Sequence, residues 1–399
     1  MSGPLEGVRV IDVTINVLGP VATQILGDMG ADVIKIEAPE GDPMRRLGPG
    51  RHPDMAAFFL SVNRNKRSMA LDLKHPDAYA ALLRLVDTAD VFVHNMRAPA
   101  AERLGLGPAA IRARNPRIVH AAAAGFRQDG PWRDRPAYDD AIQGMSGMAS
   151  MFAANAGEPR YVPMAFADKL SGVALASAIG MALFRRERTG QGEAVHLPML
   201  ETVLSFNLLD HMWTGALAGA DPGIEKHIGY PRTLSPHRKP YPTRDGFICL
   251  LATTDVQWQR LFAAFDRPQL ARDPRFLTLP DRSKNIDALH ILLAEMLAEH
   301  DTAECQRRLE GADVPSGPMI DHTDLPNDPY LRETGFFQRM DHPSEGALIT
   351  PAIPVAFADA PGSIRLGAPR LGEHTAEILA ELGYADAEIA AIAPGAGQR

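Results

Sequence analysis

The side chain best suited to covalent chemistry is a lone carboxylate, Asp168, at the end of Tyr161-Val-Pro-Met-Ala-Phe-Ala-Asp168. A long Ala/Leu/Gly-rich segment follows it to about Arg188. The pattern reads as a buried strand end, one acid at the turn, and a helix packed closely enough to need small side chains. On this stretch alone the acid reads first as a helix cap, because Asp accepts a backbone N–H at a helix start; a catalytic acid is the alternative. A second reactive set is cationic. Asn63-Arg64-Asn65-Lys66-Arg67-Ser68 puts three cations in four residues, and Lys74, Arg97 and Arg103 follow near later strand ends. In an acidic chain such a set suits a polyanionic ligand. Any one of these residues taken singly reads as a solvated basic loop.

Other chemistries find little support. Val8 to Thr14 is followed by Ile15-Asn16-Val17-Leu18-Gly19-Pro20, which lacks the glycine spacing that lets backbone approach a pyrophosphate. There is no Walker loop, and Gly144-Met-Ser146-Gly147 has the wrong spacing for a nucleophile elbow. His211, His227 and His237 show no metal-ligand spacing, so no metal is expected. His196 in a strand-like run reads as a packed side chain, and Met145, Met148 and Met151 as core filling.

The elements that must position these residues alternate. Strands are expected at Val8–Thr14, Ala31–Glu37, Ser68–Leu73, Val91–His94, Arg117–Ala122 and Glu193–Met199. Helices are expected at Val21–Met29, Asp77–Val86, Ala109–Arg114, from Tyr138 through Met151, and at Leu200–Ala216. That alternation predicts an α/β fold with a parallel sheet covered on both faces. A Gly/Pro/charged stretch over 218–244 reads as a linker. Beyond it come a strand at Gly246–Ala252 and helices over Val256–Phe265, Ile286–Glu299 and Thr302–Leu309, then two short helices in the tail.

At 399 residues two domains are expected. A net charge of −8 argues against nucleic-acid and anionic-membrane partners. Cys249 and Cys305 are too few for a disulfide framework and suit a cytoplasmic protein. The N-terminus shows no signal-peptide pattern. No apolar run reaches ~18 residues uninterrupted, so no membrane span is expected.

Taken together, ordered stretches along almost the whole chain resemble the class III CoA-transferases, the CaiB/BaiF family that includes formyl-CoA transferase. They are Leu5-Glu-Gly-Val-Arg-Val-Ile-Asp12 with Gly19-Pro20, Gly30-Ala-Asp-Val-Ile-Lys-Ile-Glu37, Asn65-Lys66-Arg67-Ser68 with Leu71-Asp-Leu-Lys74, Ala89-Asp-Val-Phe-Val-His-Asn95, Gly125-Phe-Arg-Gln-Asp-Gly-Pro131, Ala167-Asp168, Thr189-Gly-Gln-Gly192 and Leu371-Gly-Glu-His-Thr375. The resemblance implies that Asp168 is the nucleophile toward an acyl-CoA co-substrate. It implies CoA contacts from Asn16, Val17, Leu71, Lys74, Asn95, Arg97, Arg103 and Tyr138. It also implies a Rossmann-like large CoA-binding domain over 1–217 completed by 331–399, the linker 218–244, a smaller α+β domain over 245–320, a return linker at 321–330, and an interlocked-ring homodimer. The expected activity is CoA transfer between an acyl-CoA donor and a carboxylic acid acceptor.

Two departures bear on substrate: Val17 stands where the oxalate-specific enzymes carry Gln, and their glycine-rich loop has no counterpart, so oxalate is not the expected acceptor. A 2-methylacyl-CoA racemase of the same fold is a rival, but those enzymes carry His where Tyr138 stands, and a tyrosine with a pKa near ~10 is a poor base. A nucleotide-dependent oxidoreductase and a non-catalytic CoA-binding protein are the rivals from other classes.

Overall fold

A computed structural model of the chain describes residues 3–219 and 223–393. Residues 1–2 and 394–399 of the expected large domain and 220–222 of the expected linker lie outside the described residues. Six parallel strands form the main sheet: β1 (Arg9–Val13), β2 (Asp32–Glu37), β3 (Lys66–Ala70), β4 (Val91–His94), β5 (Val119–Ala124) and β6 (Ala194–Pro198). Their order is β3-β2-β1-β4-β5-β6, the doubly wound order in which the connections reverse between β1 and β4. Continuous apolar runs such as Val10-Ile11 and Val91-Phe-Val93 suit strands buried on both faces.

The helices of this part of the chain are α1 (Leu18–Asp28), α2 (Ala57–Val62), α3 (Pro76–Thr88), α4 (Ala98–Arg103), α5 (Pro108–Arg114), α6 (Asp139–Met145), α7 (Met148–Ala156), α8 (Phe166–Thr189) and α9 (Met199–His211). One core gathers Ile11, Ile34, Met69, Leu82 and Phe92 with Ile378 and Ile389 from the two C-terminal helices, Thr375–Glu381 and Asp386–Ile392. Burying each such side chain contributes roughly 1.5–3 kcal/mol.

Elsewhere on the sheet, α8 packs against α1, β5 and β6. By length and composition alone α8 is apolar enough to cross a membrane, a property the run-length reading missed. Its buried side chains include Leu175, Ile179 and Leu183. The small-residue expectation holds at Gly172, where an added Cβ would lie 2.8 Å from the Leu18 carbonyl oxygen and 2.9 Å from Val21 Cγ1. Gly180 on the same helix has open space. Gly172→Ala is therefore expected to destabilise by about 1–3 kcal/mol through overpacking, whereas Gly180→Ala should stabilise by up to about 1 kcal/mol through helix propensity. Urea unfolding of the two variants checks the opposite signs.

The chain divides into two compact units: Met1–Ser146 with Val162–Ser205 and Glu333–Arg399, and Gly147–Tyr161 with Phe206–Arg332. Residues 147–161 and 206–217 therefore pack with the second unit rather than the first. The expected single helix from Tyr138 to Met151 breaks at Ser146-Gly147, where Gly147 takes φ 82° and starts α7. The second unit has its own core around Trp258, Phe262, Leu293 and Leu309. It also has a three-stranded antiparallel sheet of β7 (Tyr241–Pro242), β8 (Phe247–Leu250) and β9 (Ser316–Pro318). The expected linker thus supplies a strand, and 321–330 holds a 3-10 turn at Leu325–Asn327. A hairpin of β10 (Phe337–His342) and β11 (Gly346–Pro351), absent from the sequence reading, belongs to the first unit.

Candidate active site

Ligands of doubly wound sheets sit beyond the carboxyl ends of the strands, and the residues implied by the resemblance lie there. After β1, Asn16 takes a left-handed φ of 66° and Val17 precedes α1. After β4, Asn95 donates through Nδ2 to the Ile15 carbonyl (2.7 Å) and accepts the Ile15 N–H through Oδ1 (3.0 Å). That side chain therefore ties the β1 and β4 ends together across the point where the connections reverse. Lys74 follows β3. Arg97 and Arg103 flank α4, and Tyr138 precedes α6; all four are exposed. Among the described residues Lys74, Arg97 and Arg103 pair with no carboxylate. Val17 and Leu71 differ from these, because both are buried.

The other cations do not belong to this group. Arg64 pairs with Asp28 (2.8 Å), Lys66 with Asp12 (3.0 Å), and Arg67 with Asp32, Glu377 and Glu381. Lys66 and Arg67 lie within β3 rather than ahead of it. The basic cluster read as a polyanion site is thus consumed by internal pairs, while the isolated cations beyond the strands remain open.

No strand precedes Asp168 in its approach segment, and Asp168 is not the cap. Helix α8 begins at Phe166, with Ala165 as N-cap and no side-chain cap bond, so Asp168 is the third helical residue. Its backbone N–H, orphaned like every first-turn donor, donates to Asp139 Oδ1 (2.9 Å). Asp139 Oδ2 accepts from Gln143 Nε2 (2.5 Å), one helical turn along α6. The fully buried Gln143 also accepts the Val162 N–H (2.8 Å) and donates to the Met164 carbonyl (3.3 Å). Asp139 and Gln143 therefore fasten both the approach segment and the residue carrying the acid. Among the described residues the Asp168 carboxylate itself accepts no hydrogen bond. Burial pushes it up to about 7, and the neighbouring Asp139 carboxylate adds to the rise. One turn further along α8, Gly172 rests against the Leu18 carbonyl. Asp168 thus lies one turn before the glycine that packs on the first residue of α1.

A cavity of about 410 Å³ opens beyond β4, β5 and β6, with His94, Met96, Glu102, Gln128, Asp134 and His196 among its lining residues. That is within the range of small-ligand pockets. His196 is exposed there rather than packed. His94 is pushed down to about 3, chiefly by burial and then by His120 and His196; it presents a neutral imidazole whose Nδ1 accepts the Met96 N–H (3.2 Å). Among the described residues no group of three or more His, Cys, Asp or Glu side chains could hold a metal ion.

The fold and site define a doubly wound α/β protein whose carboxyl edge offers open cations and one desolvated carboxylate. The chain belongs to CoA-transferase family III, whose sequence model matches residues 5–375, and it is a CoA-transferase. It is 34% identical over 390 residues to the succinate–glutarate CoA-transferase of Agrobacterium fabrum, covering 95% of this chain and 96% of that one. Among solved structures it resembles Rv3272 of Mycobacterium tuberculosis, with TM-score 0.81, 31% identity, and 94% and 99% of the two chains covered. It also resembles a CaiB/BaiF family protein of Brucella suis, with TM-score 0.78, 31% identity, and 96% and 100% covered.

Proposed function

We propose that Asp168 is the nucleophile through which this enzyme moves CoA from an acyl-CoA to a carboxylic acid. The observation that carries the reading is a half-buried carboxylate, free of hydrogen bonds among the described residues, held by its main chain to Asp139 and one turn before the glycine that packs on the start of α1. A carboxylate stripped of water and donors is a stronger nucleophile than a solvated one. Its oxygen attacks the thioester carbon, the C–S bond breaks, and a mixed anhydride and CoA thiolate form. The thiolate then attacks the aspartyl carbonyl of the anhydride, releasing the donor acid and leaving an aspartyl-CoA thioester. The acceptor carboxylate displaces the thiolate to form a second anhydride. The thiolate finally takes the acceptor's acyl group, which frees Asp168. No net proton is exchanged. Of the N–H groups at the start of α8, those of Phe166 and Asp168 are already bonded, to Met164 and Asp139.

CoA would lie along the carboxyl edge, with Lys74, Arg97 and Arg103 on its phosphates and Asn16, Asn95, Tyr138 and the backbone of Val17 and Leu71 beside its chain. One face of α8 leaves Val173, Met181 and Phe184 more than half exposed. An apolar stripe of that kind suits a second copy of the chain, as in the interlocked homodimer, and two free cysteines suit a cytoplasmic enzyme. Incubation with an accepted acyl-CoA and hydroxylamine should convert Asp168 to its hydroxamate and inactivate the enzyme. Peptide mass spectrometry that finds the modification at no residue, while CoA exchange proceeds in its absence, would defeat the reading.

A further inference from the structure

We infer that Lys35 and Asp42 are positioning residues for the CoA thioester, fixing from beneath the β1–α1 loop that carries Asn16 and seats α8. The inference rests on the CoA reading above. Lys35, on β2, has a fully buried side chain; its Nζ donates to the Thr14 carbonyl (2.8 Å) and to Asp42 Oδ2 (3.0 Å). Asp42, equally buried, accepts the Asn16 N–H (3.2 Å) and the Met44 N–H (3.0 Å) through Oδ1. On the other side of the loop, Asp12 Oδ1 accepts the Thr14 N–H (2.9 Å) and hydroxyl (2.5 Å), and its Oδ2 accepts from Lys66 (3.0 Å). Lys66 in turn donates to the Pro20 carbonyl (3.0 Å) in the first turn of α1. Two acids and two lysines, all with fully buried side chains, thus grip the backbone of Thr14, Asn16 and Pro20.

Stability does not explain this arrangement. A buried ion pair is close to neutral against a well-packed apolar replacement, because desolvating the charges offsets their attraction. What the charges do supply is direction. Asn16 is held in a left-handed conformation that non-glycine residues adopt uncommonly. Ile15 is presented to Asn95, and Leu18 to Gly172, four residues beyond Asp168. A loop that relaxed would shift the CoA edge and the seat of the nucleophile together.

The decisive variant is the double replacement Lys35→Met with Asp42→Leu, which removes the pair without leaving a buried charge unpaired. It is expected to melt below the parent, because the Asn16 and Met44 N–H groups lose their acceptor, and to raise the KM for acyl-CoA and the Kd for CoA at least tenfold, with a smaller loss of kcat. Asp42→Asn alone should weaken CoA binding in the same direction. Arg64→Met, which breaks a buried pair with Asp28 and a tie to the end of β11, is the control; it should lower the melting temperature and leave KM within twofold. If the double variant binds CoA within twofold of the parent, the inference falls while the CoA reading stands. A parent chain that binds no CoA would remove both.

Discussion

Asp168→Ala is expected to bind CoA with the parental Kd and to lose CoA exchange by about 10⁴-fold or more, the scale seen when a covalent nucleophile is removed. The carboxylate beside it cannot take over. Asp139 is the adjacent carboxylate, but one oxygen holds the Asp168 N–H and the other the Gln143 amide. Asp168→Asn should be equally inert, because an amide oxygen forms no stable anhydride, although it keeps the shape of the side chain. Isothermal titration with CoA, run beside an exchange assay with labelled CoA, separates the two halves of the prediction. Exchange at more than a hundredth of the parental rate in either variant would move the covalent step away from this residue.

The second large effect is on pH. In the proposed reaction Asp168 attacks only when ionised, and burial, followed by the Asp139 charge, pushes it up to about 7. For the parent, kcat/KM for acyl-CoA should therefore fall tenfold per unit below about pH 7 and level off above it. Asp139→Asn removes the neighbouring charge and should move that limb to lower pH. It should also depress the plateau, since an amide nitrogen would face the Gln143 amide. Stability reports the same group with the sign of a raised carboxyl. The neutral form is the favoured folded form, so its contribution is complete below the ordinary Asp value and is lost as pH rises through about 7. Asp168→Asn should accordingly melt higher than the parent at pH 8 and level with it at pH 4. An acid limb left unmoved in Asp139→Asn and no gain in melting temperature at pH 8 would together assign the limb to another group.

Much of the sheet is written locally. Val8–Thr14, Ala31–Glu37 and Val91–His94 are short stretches rich in Val and Ile or Phe, the signature of strands covered on both faces, and β1, β2 and β4 fall within them. The reading slipped at β3 because Lys66 and Arg67 look like a loop. Lys66 is buried only because Asp12, on a different strand, lies beside it, and no local pattern reports such a partner. The hairpin Phe337–Pro351 escaped for a different reason: β10 mixes charged, largely exposed residues into its run, and the apolar part of β11 is only Ala347-Leu348-Ile349, closed by Pro351. Asp168 stood out as one acid in an apolar stretch. Asp139 and Gln143, which hold it, share the four-residue spacing of one helix face, a signal present in the sequence; its meaning depends on α6 meeting α8, which the spacing alone does not contain.

Asp139 grips the amide of Asp168 and leaves its acid alone, and this matters for a group that must change partners. The main chain stays anchored while the side-chain bonds are free to rotate. The carboxyl can turn one oxygen toward an incoming thioester, then swing its own carbonyl to meet the departing sulfur, without breaking a hydrogen bond at either stage. In the proposed reaction the tether is a fixed pivot beneath a moving arm, from which each acyl and thioester intermediate would return to the same starting position.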